Sequence, residues 1–288
     1  MAITLGPELI ARLVGEALAE DRADDDATTN ALVTPGQHGR GAIVARAPGV
    51  IAGLGFAQEA FRQMDTGLDW RPSTVDGEAV SPGAEIAEVE GSLAAILRAE
   101  RTALNFLAHL SGVATAAADF ARLLEGSGCR LRDTRKTVPG LRLAEKYAAQ
   151  AGGAETFRTD LADAVMIKDN HLAAVRNREL GISDAIRLSR EANPGLRIEV
   201  EVTSLEEARE AIESGAGELL LDNMTPAQIR PIVELAAGRD PRPLLEASGG
   251  ISAANARDYG ETGVDFISVG AITHSASALD LSLDIATA

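Results

Sequence analysis

The lysines of this chain are concentrated in one short segment. Only three of its 27 basic residues are lysines, Lys136, Lys146 and Lys168, and all of them lie between Arg132 and His171. Lysine is a compact point charge that suits phosphate oxygens and proton transfer, whereas arginine is a planar, permanently charged fork. Lys136 and Lys168 also follow short apolar runs that are typical of buried strands. The alternative is a general preference for arginine that leaves three lysines together by chance. We interpret the segment as an anion-binding site.

Composition and charge limit the class of protein and its partners. The 288-residue chain is 45% hydrophobic and 24% charged, which is ordinary for a globular protein. No apolar run approaches the roughly 20 residues that span a bilayer, and the N-terminus lacks the basic stretch of a secretion signal. One cysteine, Cys129, cannot form an internal disulfide, so we expect a cytoplasmic protein. The net charge of -16 argues against nucleic acid but not against small anionic substrates.

The first part of the chain predicts a mixed α/β region. Hydrophobic periodicity places helices at 7–19, 56–64 and 92–110 and strands within 41–53 and 84–90. The acidic run at 20–29 is expected to be a solvated loop, because a cluster of carboxylates is seldom a metal site without further ligands.

The helix predicted at 92–110 has two different faces. Its leucines and isoleucine share one broad side, and a narrow stripe of Arg98, Arg101, Asn105 and His109 lies opposite. A solvated polar face explains this stripe, and so does a binding surface. Solvated faces are usually rich in Glu and Lys, so the Arg, Asn and His side chains favour binding.

From Cys129 onward the pattern changes to short apolar strands that alternate with helices. The strands are predicted at 129–134, 164–169, 196–202, 218–223, 243–248 and 264–270. Six such units in sequence imply a parallel sheet with right-handed crossovers, either doubly wound or closed into a barrel. A polar residue or glycine follows every strand, and in a barrel all these positions converge on one mouth. The pattern therefore favours a barrel.

Charged residues at the strand ends predict what the mouth would bind. The cations Arg135, Lys136, Arg158 and Lys168 would surround a substrate with several negative charges, since arginine suits carboxylates and lysine suits phosphates.

Two acidic residues also lie at strand ends, Glu201 and Asp222. Mg²⁺ commonly binds one or two protein carboxylates and completes its shell with substrate phosphate and water. An ion network with the neighbouring lysines is the alternative role for both residues.

Glycines follow the last two predicted strands, in Ser248-Gly249-Gly250 and around Gly270. Glycine lets backbone N–H groups approach an oxyanion closely, and the phosphate sites of barrel enzymes often lie at these last loops. We therefore expect substrates that are both phosphorylated and carboxylated.

Several stretches together resemble the quinolinate phosphoribosyltransferase family of NAD biosynthesis. The matching segments, in family order, are ERTALNFLAHLSGVAT, DTRKTVPGLRLAEKYA, GGAETFRTDL, VMIKDNH, EVEV, LLLDN, EASGGI and VGAITHS. The resemblance implies an α/β fold with an N-terminal α/β sandwich domain at 1–111, joined by the C-terminal segment 275–288. It also implies an incomplete, about seven-stranded parallel β/α barrel at 112–274.

The resemblance implies a reaction and a set of site residues. Quinolinate and phosphoribosyl pyrophosphate (PRPP) would give nicotinate mononucleotide, pyrophosphate and CO₂ with Mg²⁺ as cofactor. Quinolinate would be bound by Arg101, Arg135, Arg158 and Lys168. PRPP would be bound by Lys136, Lys168, Glu201, Asp222, Ser248, Gly249, Gly250, Gly270 and His274. The catalytic residues would be Lys136, Lys168, Glu201 and Asp222. Glu201 and Asp222 would also hold Mg²⁺, partly through water and pyrophosphate. The chain would form a homodimer in which Arg101 reaches the neighbouring subunit's site.

One position departs from the family pattern and leaves other readings open. The family usually has histidine before the arginine of the GG…HR motif, and this chain has Phe157 before Arg158. A related phosphoribosyltransferase for another pyridine or aromatic acid is therefore an alternative. A Schiff-base aldolase barrel with Lys168 as its nucleophile is a second.

Overall fold

The computed structural model describes residues 2–287. Met1 and Ala288, the ends of the predicted ranges 1–111 and 275–288, lie outside the described residues.

Contacts within the chain divide it into two compact units. The N-terminal unit comprises Ala2–Ala118, Val138–Gly153 and the residues from Ile272 onward. The barrel unit comprises Asp119–Thr137 and Ala154–Ala271. The predicted boundary lies after residue 111, whereas this division falls at residue 118 and assigns 138–153 to the N-terminal unit.

The helices and strands alternate along most of the chain. The elements up to residue 123 are α1 (Pro7–Asp21), α2 (Ala27–Leu32), β1 (His38–Ala45), β2 (Gly49–Val50), α3 (Leu54–Met64), β3 (Asp69–Pro72), β4 (Ala79–Val80), β5 (Glu85–Ser92) and α4 (Leu93–Leu123). They are followed by β6 (Arg130–Arg132), α5 (Arg142–Ala151), β7 (Val165–Ile167), α6 (Asp169–Arg176), α7 (Ile182–Ala192), β8 (Ile198–Val202), α8 (Leu205–Glu213), β9 (Glu218–Asp222), α9 (Pro226–Ala237), β10 (Leu244–Ser248), α10 (Ala256–Gly260), β11 (Phe266–Ser268), α11 (Ala271–His274) and β12 (Leu281–Thr287). None of the helices within residues 2–287 has the length and apolar character that a membrane span requires.

An antiparallel sheet forms the centre of the N-terminal unit, with the strand order β12-β1-β5-β3. The C-terminal strand β12 pairs with β1 from Leu281 opposite Ala45 to Thr287 opposite Gly39. Alternate residues of β1 are buried, as expected for a strand with one face in the core. The last segment of the chain is thereby part of the sheet formed by the first.

Helix α4 packs its predicted apolar face into the core. Leu107 and Leu110 are completely buried, and Arg101 and Asn105 on the polar stripe are exposed. The helix continues past the predicted end at residue 110 as far as Leu123. Gly112 lies within this extension, where an added Cβ would be 2.9 Å from the carbonyl carbon of Ser277, so tertiary packing favours glycine inside a helix.

The acidic run at 20–29 is not the continuous loop that the sequence predicts. Asp26 accepts hydrogen bonds from the backbone N–H groups of Thr28 and Thr29, at 3.0 and 3.1 Å. A carboxylate in this position caps a helix, and α2 begins at the next residue. One of the clustered acids therefore has a local structural role.

The barrel unit contains a six-stranded parallel sheet in the order β6-β11-β10-β9-β8-β7. The first strand pairs with the last, so the strands follow each other around a ring as in a barrel. A parallel bridge between Arg132 and Glu155 adds a seventh position beside β6. Among the described residues no strand pairing connects this position to β7, so the barrel is incomplete, as predicted.

A buried guanidinium lies among three glutamates inside the barrel. Arg132 on β6 is 3% exposed, and its Nη1 contacts Glu246 on β10, Glu218 on β9 at 3.2 Å and Glu199 on β8 at 3.8 Å. Burial alone would lower the pKa of Arg132, but the three carboxylates raise it overall. Burial, and then Glu246, raises the pKa of Glu199 well above its usual value. The four strands therefore share one coupled charge cluster.

Replacing Arg132 with methionine should remove about 3–5 kcal/mol from the free energy of unfolding, because it leaves buried carboxylates without their cation. Urea unfolding followed by circular dichroism measures the loss. The matched control is Arg130→Met on the same strand, where the side chain is 53% exposed and pairs with Glu155. An exposed pair contributes about 0–1 kcal/mol. Equal losses in the two variants would contradict this role for Arg132.

Candidate active site

The segment after β6 places two of the predicted cations. The backbone N–H of Asp133 donates to the Glu155 carbonyl at 2.9 Å, and the Thr156 hydroxyl donates to the Asp133 carboxylate at 2.6 Å. These two bonds fix the chain directly after β6, and Arg135 and Lys136 follow it. Arg135 is half-buried, and Lys136 is exposed at the carboxyl edge of the sheet.

Arg158 follows the seventh strand position and approaches Arg135. It is 7% exposed, and its guanidinium donates to two neutral groups, the Ala164 carbonyl and the Met166 sulfur, both at 3.2 Å. Burial and then the guanidinium of Arg135 lower the pKa of Arg158. The Nε of Arg135 is buried and has no hydrogen-bond partner among the described residues. Two cations therefore lie near each other, and the carboxylates of Glu199, Asp160 and Asp163 act against the effect of Arg135 on Arg158.

Lys168 and Glu201 form an ion pair at the ends of neighbouring strands. The Lys168 Nζ lies 3.1 Å from Glu201 Oε2, and Glu201 is 9% exposed. The backbone N–H of Lys168 donates to His171 Nδ1 at 3.0 Å, and helix α6 begins at Asp169. This short helix was not predicted from the sequence. It fixes the direction in which Lys168 leaves the sheet.

Asp222 and Ser248 lie next to each other in register at the ends of β9 and β10. They point to the same face as the buried Glu218 and Glu246, because side chains alternate along a strand. Gly249 and Gly250 follow Ser248 with φ of 90° and 64°, which is the left-handed region that glycine adopts without strain. Gly270 comes directly after β11 and Val269, beside this loop in strand order.

The barrel unit thus gathers most of the predicted site residues at one edge of its sheet. These residues are Arg135, Lys136, Arg158, Lys168, Glu201, Asp222, Ser248, Gly249, Gly250 and Gly270. In a parallel barrel this edge is the catalytic face.

Two predicted site residues, Arg101 and His274, belong to the N-terminal unit. Arg101 lines a cavity of about 330 Å³. The residues around this cavity are Ala17, Glu20, Asp21, Arg101, Thr102, Asn105, Phe106, His109 and Leu141. His109 is held by the fully buried Glu145, at 2.8 Å. His274 ends α11, with its Nδ1 2.6 Å from the Ser275 hydroxyl.

The carboxylates suit a cation only in combination with a substrate. In the described part of the chain no group of three or more His, Cys, Asp or Glu side chains has the arrangement of a metal site. Glu201 and Asp222 are two hard oxygen donors on neighbouring strands, and a substrate pyrophosphate would supply the remaining oxygens that Mg²⁺ requires.

Two side chains have surroundings that the sequence did not reveal. The ring of Phe157 is 4% exposed and lies near two guanidiniums, 4.6 Å from Arg197 and 5.2 Å from Arg132. Arg197 also donates to the Phe157 carbonyl. The buried ring therefore packs against protein groups. Lys146, on α5, is 1% exposed, so this third lysine is a buried residue.

These features define a β/α barrel with cations at its carboxyl edge, which is the catalytic face of barrel enzymes. Comparison with known proteins identifies the family. Residues 26–111 match the model of the quinolinate phosphoribosyl transferase N-terminal domain, and residues 113–284 match that of its C-terminal domain. The chain therefore belongs to the quinolinate phosphoribosyl transferase family.

Named relatives and solved structures cover nearly the whole chain. The nicotinate-nucleotide pyrophosphorylase (carboxylating) of Mycobacterium leprae is 41% identical over 94% of this chain and 95% of its own. The human protein of that name is 39% identical over 99% of this chain and 94% of its own. The structure of the nicotinate-nucleotide pyrophosphorylase from Francisella tularensis superposes with a TM-score of 0.93 at 37% identity, covering 98% of both chains.

Proposed function

We propose that this enzyme transfers the phosphoribosyl group of PRPP to quinolinate and removes one carboxylate. The products are nicotinate mononucleotide, pyrophosphate and CO₂, and the reaction belongs to NAD biosynthesis. Membership of the family and the names of its relatives support this activity.

One feature of the site supports the proposal most directly. Arg135 and Arg158 lie close enough for Arg135 to lower the pKa of Arg158, and the hydrogen bonds of the Arg158 guanidinium go to uncharged groups. The carboxylates of Glu199, Asp160 and Asp163 act in the opposite direction, and an anion bound between the two cations would stabilise them further. Two adjacent carboxylates on a planar ring match two guanidinium forks, each of which can form paired N–H···O bonds. Quinolinate has this arrangement.

The remaining mouth residues would bind PRPP. Ser248, Gly249 and Gly250 present a glycine-rich loop for the 5′-phosphate, and Gly270 follows the next strand. Asp222 would bind the ribose hydroxyls, and Lys136 would face the pyrophosphate. Mg²⁺, held by Glu201 and Asp222 with pyrophosphate oxygens, would supply positive charge next to the leaving group.

Bond formation and cleavage would then follow from this geometry. The bond between ribose C1 and the pyrophosphate oxygen breaks through an oxocarbenium-like state, and the quinolinate nitrogen forms the new bond to C1. Lys136 and Lys168 would stabilise the charge that develops on the departing pyrophosphate. Holding both substrates in one site turns a bimolecular attack into a positioned one.

Loss of CO₂ follows from the charge on the ring. After ribosylation the ring nitrogen is cationic, so the electron pair of the C2–carboxylate bond can remain on the ring when CO₂ leaves. A proton then replaces the carboxylate at C2. Arg158 and Lys168 would hold the remaining carboxylate during this step.

We also propose that the enzyme works as a cytoplasmic homodimer in which Arg101 enters the neighbouring subunit's site. Arg101 is exposed on α4, where it lines a cavity together with Asn105 and His109. An exposed guanidinium beside such a cavity is able to engage a second chain. His274 would contribute to the 5′-phosphate site, as the family resemblance implies.

The activity is tested with purified protein, PRPP, Mg²⁺ and quinolinate labelled at the C2 carboxyl carbon. We expect nicotinate mononucleotide, pyrophosphate and labelled CO₂ in equal amounts. Pyridine-3-carboxylate, which lacks the second carboxylate, should have a kcat/KM at least about 100-fold lower. Turnover of the monocarboxylate as well as or better than quinolinate, or product without CO₂, would contradict the proposal.

Subunit sharing is tested by mixing two inactive variants, Arg101→Ala and Lys168→Ala. A mixed dimer has one site with both substitutions and one with neither, so an equimolar mixture should recover about a quarter of the unsubstituted activity. Each variant assayed alone at the same total concentration is the control. If no activity returns after subunit exchange across several mixing ratios, each site is contained within one chain.

A further inference from the structure

Asn223, directly after β9, has a backbone conformation that is uncommon for a residue other than glycine. Its φ is 54°, in the left-handed region. Asparagine tolerates this region better than most side chains, but a strained conformation persists only where the surrounding structure enforces it. Such conformations are concentrated at ligand sites and active sites. The contacts of Asn223 show what holds it there.

Asn223 connects two strand ends through its backbone and its side chain. Its backbone N–H donates to the Ser248 carbonyl at 2.8 Å. Its side-chain Nδ2 donates to Asp222 Oδ2 at 2.6 Å. The backbone bond continues the parallel pairing of β9 with β10, in which Asp222 is opposite Ser248, and the side-chain amide bonds to the preceding carboxylate.

The side chain of Asn223 also packs directly against the glycine-rich loop. A Cβ added to Gly249 would lie 2.6 Å from Asn223 Cγ and 2.9 Å from its backbone nitrogen, closer than atoms can approach. Gly249 is itself in the left-handed region, with φ of 90°. Asn223 and the loop after β10 are therefore in close contact, and position 249 has no room for a side chain.

We propose that Asn223 is a positioning residue that holds the Asp222 carboxylate and the Ser248–Gly250 loop in one fixed arrangement. This inference rests on the proposed function, in which Asp222 binds the ribose and pyrophosphate side of PRPP and the loop binds its 5′-phosphate. PRPP has phosphate groups at opposite ends of its ribose, so both groups of contacts must be correctly spaced at once. Asn223 touches no reacting atom and acts through these two partners.

The Asp222 carboxylate is restrained by the hydrogen bond that the Asn223 amide donates to it. One oxygen of Asp222 accepts the Asn223 amide, which leaves the other oxygen for the substrate. Hydrogen bonds to a charged group are stronger than bonds between neutral groups, so the amide restrains the carboxylate firmly. A second carboxylate in place of the amide would instead repel Asp222.

Two variants separate the amide from the backbone turn. Asn223→Gly keeps the left-handed backbone and the N–H to Ser248 but removes the amide. Asn223→Asp keeps the shape but replaces the donor with a negative charge. The control is Glu179→Gly, because Glu179 also has positive φ, 62°, and is exposed after α6. It reports what relief of backbone strain does when no amide contact is lost.

Steady-state kinetics with PRPP and quinolinate varied separately give the decisive readout. We expect the KM for PRPP to rise about tenfold in Asn223→Gly and further in Asn223→Asp, with the KM for quinolinate changed less than about twofold. Glu179→Gly should match the unsubstituted enzyme. Thermal unfolding of all four proteins checks that each is folded at the assay temperature.

The possible outcomes are distinct. An unchanged KM for PRPP in both folded Asn223 variants would overturn the inference while the proposed function stands. An equal rise in both KM values would also overturn it, because this would indicate general disturbance of the barrel. If the unsubstituted enzyme does not use PRPP at all, the proposed function fails, and the inference fails with it.

Discussion

The buried guanidinium of Arg132 is the interaction on which the barrel unit depends. It lies on β6, and its three glutamate partners come from β8, β9 and β10, so one charge joins four strands. Side chains on the same face of a strand recur every two residues. Glu201 therefore lies one inward position beyond Glu199, and Ser248 lies one beyond Glu246. The cluster thus sets the register of the residues at the mouth. Removing one partner of a buried charge is costly, which maintains this arrangement.

The mouth contrasts in charge with the rest of the chain. A net charge of -16 repels small anions at long range, yet Arg135, Lys136, Arg158 and Lys168 lie at one edge of the sheet. Local cations in a partly buried site outweigh distant charges, because solvent and salt screen the distant ones. The barrel is open beside Arg158, where no strand pairing among the described residues closes the ring. The buried ring of Phe157 packs near the Arg132 and Arg197 guanidiniums at this position, so phenylalanine in place of the family's histidine is accommodated inside the barrel unit.

Local patterns were enough to predict the strands and most mouth residues, because strand ends such as Lys168 and Asp222 are marked by a change from apolar to polar residues. They were not enough for features that depend on distant parts of the chain. The charges of Arg132 and Glu199 gave no sign of burial, since they pair only after the strands assemble. Asn223 was indistinguishable from an ordinary polar residue, because its contacts with Ser248 at the end of β10 and with Gly249 in the following loop form only in the folded chain. The roles assigned to the site residues, including Arg101 and His274, stay predictions.

The proposed function depends most directly on Arg135 and Arg158, which we propose bind a planar dicarboxylate. Its most direct test is the dissociation constant of quinolinate, measured by isothermal titration calorimetry without PRPP, for the unsubstituted enzyme and for Arg158→Met. Truncating one partner of a buried, hydrogen-bonded charge pair typically costs about 2–5 kcal/mol. We therefore expect Arg158→Met to bind quinolinate about 100-fold more weakly than the unsubstituted enzyme. The exposed Arg209, replaced by methionine, controls for the loss of one positive charge. If the dissociation constant of Arg158→Met is within about twofold of the unsubstituted value, Arg158 does not bind the dicarboxylate as proposed.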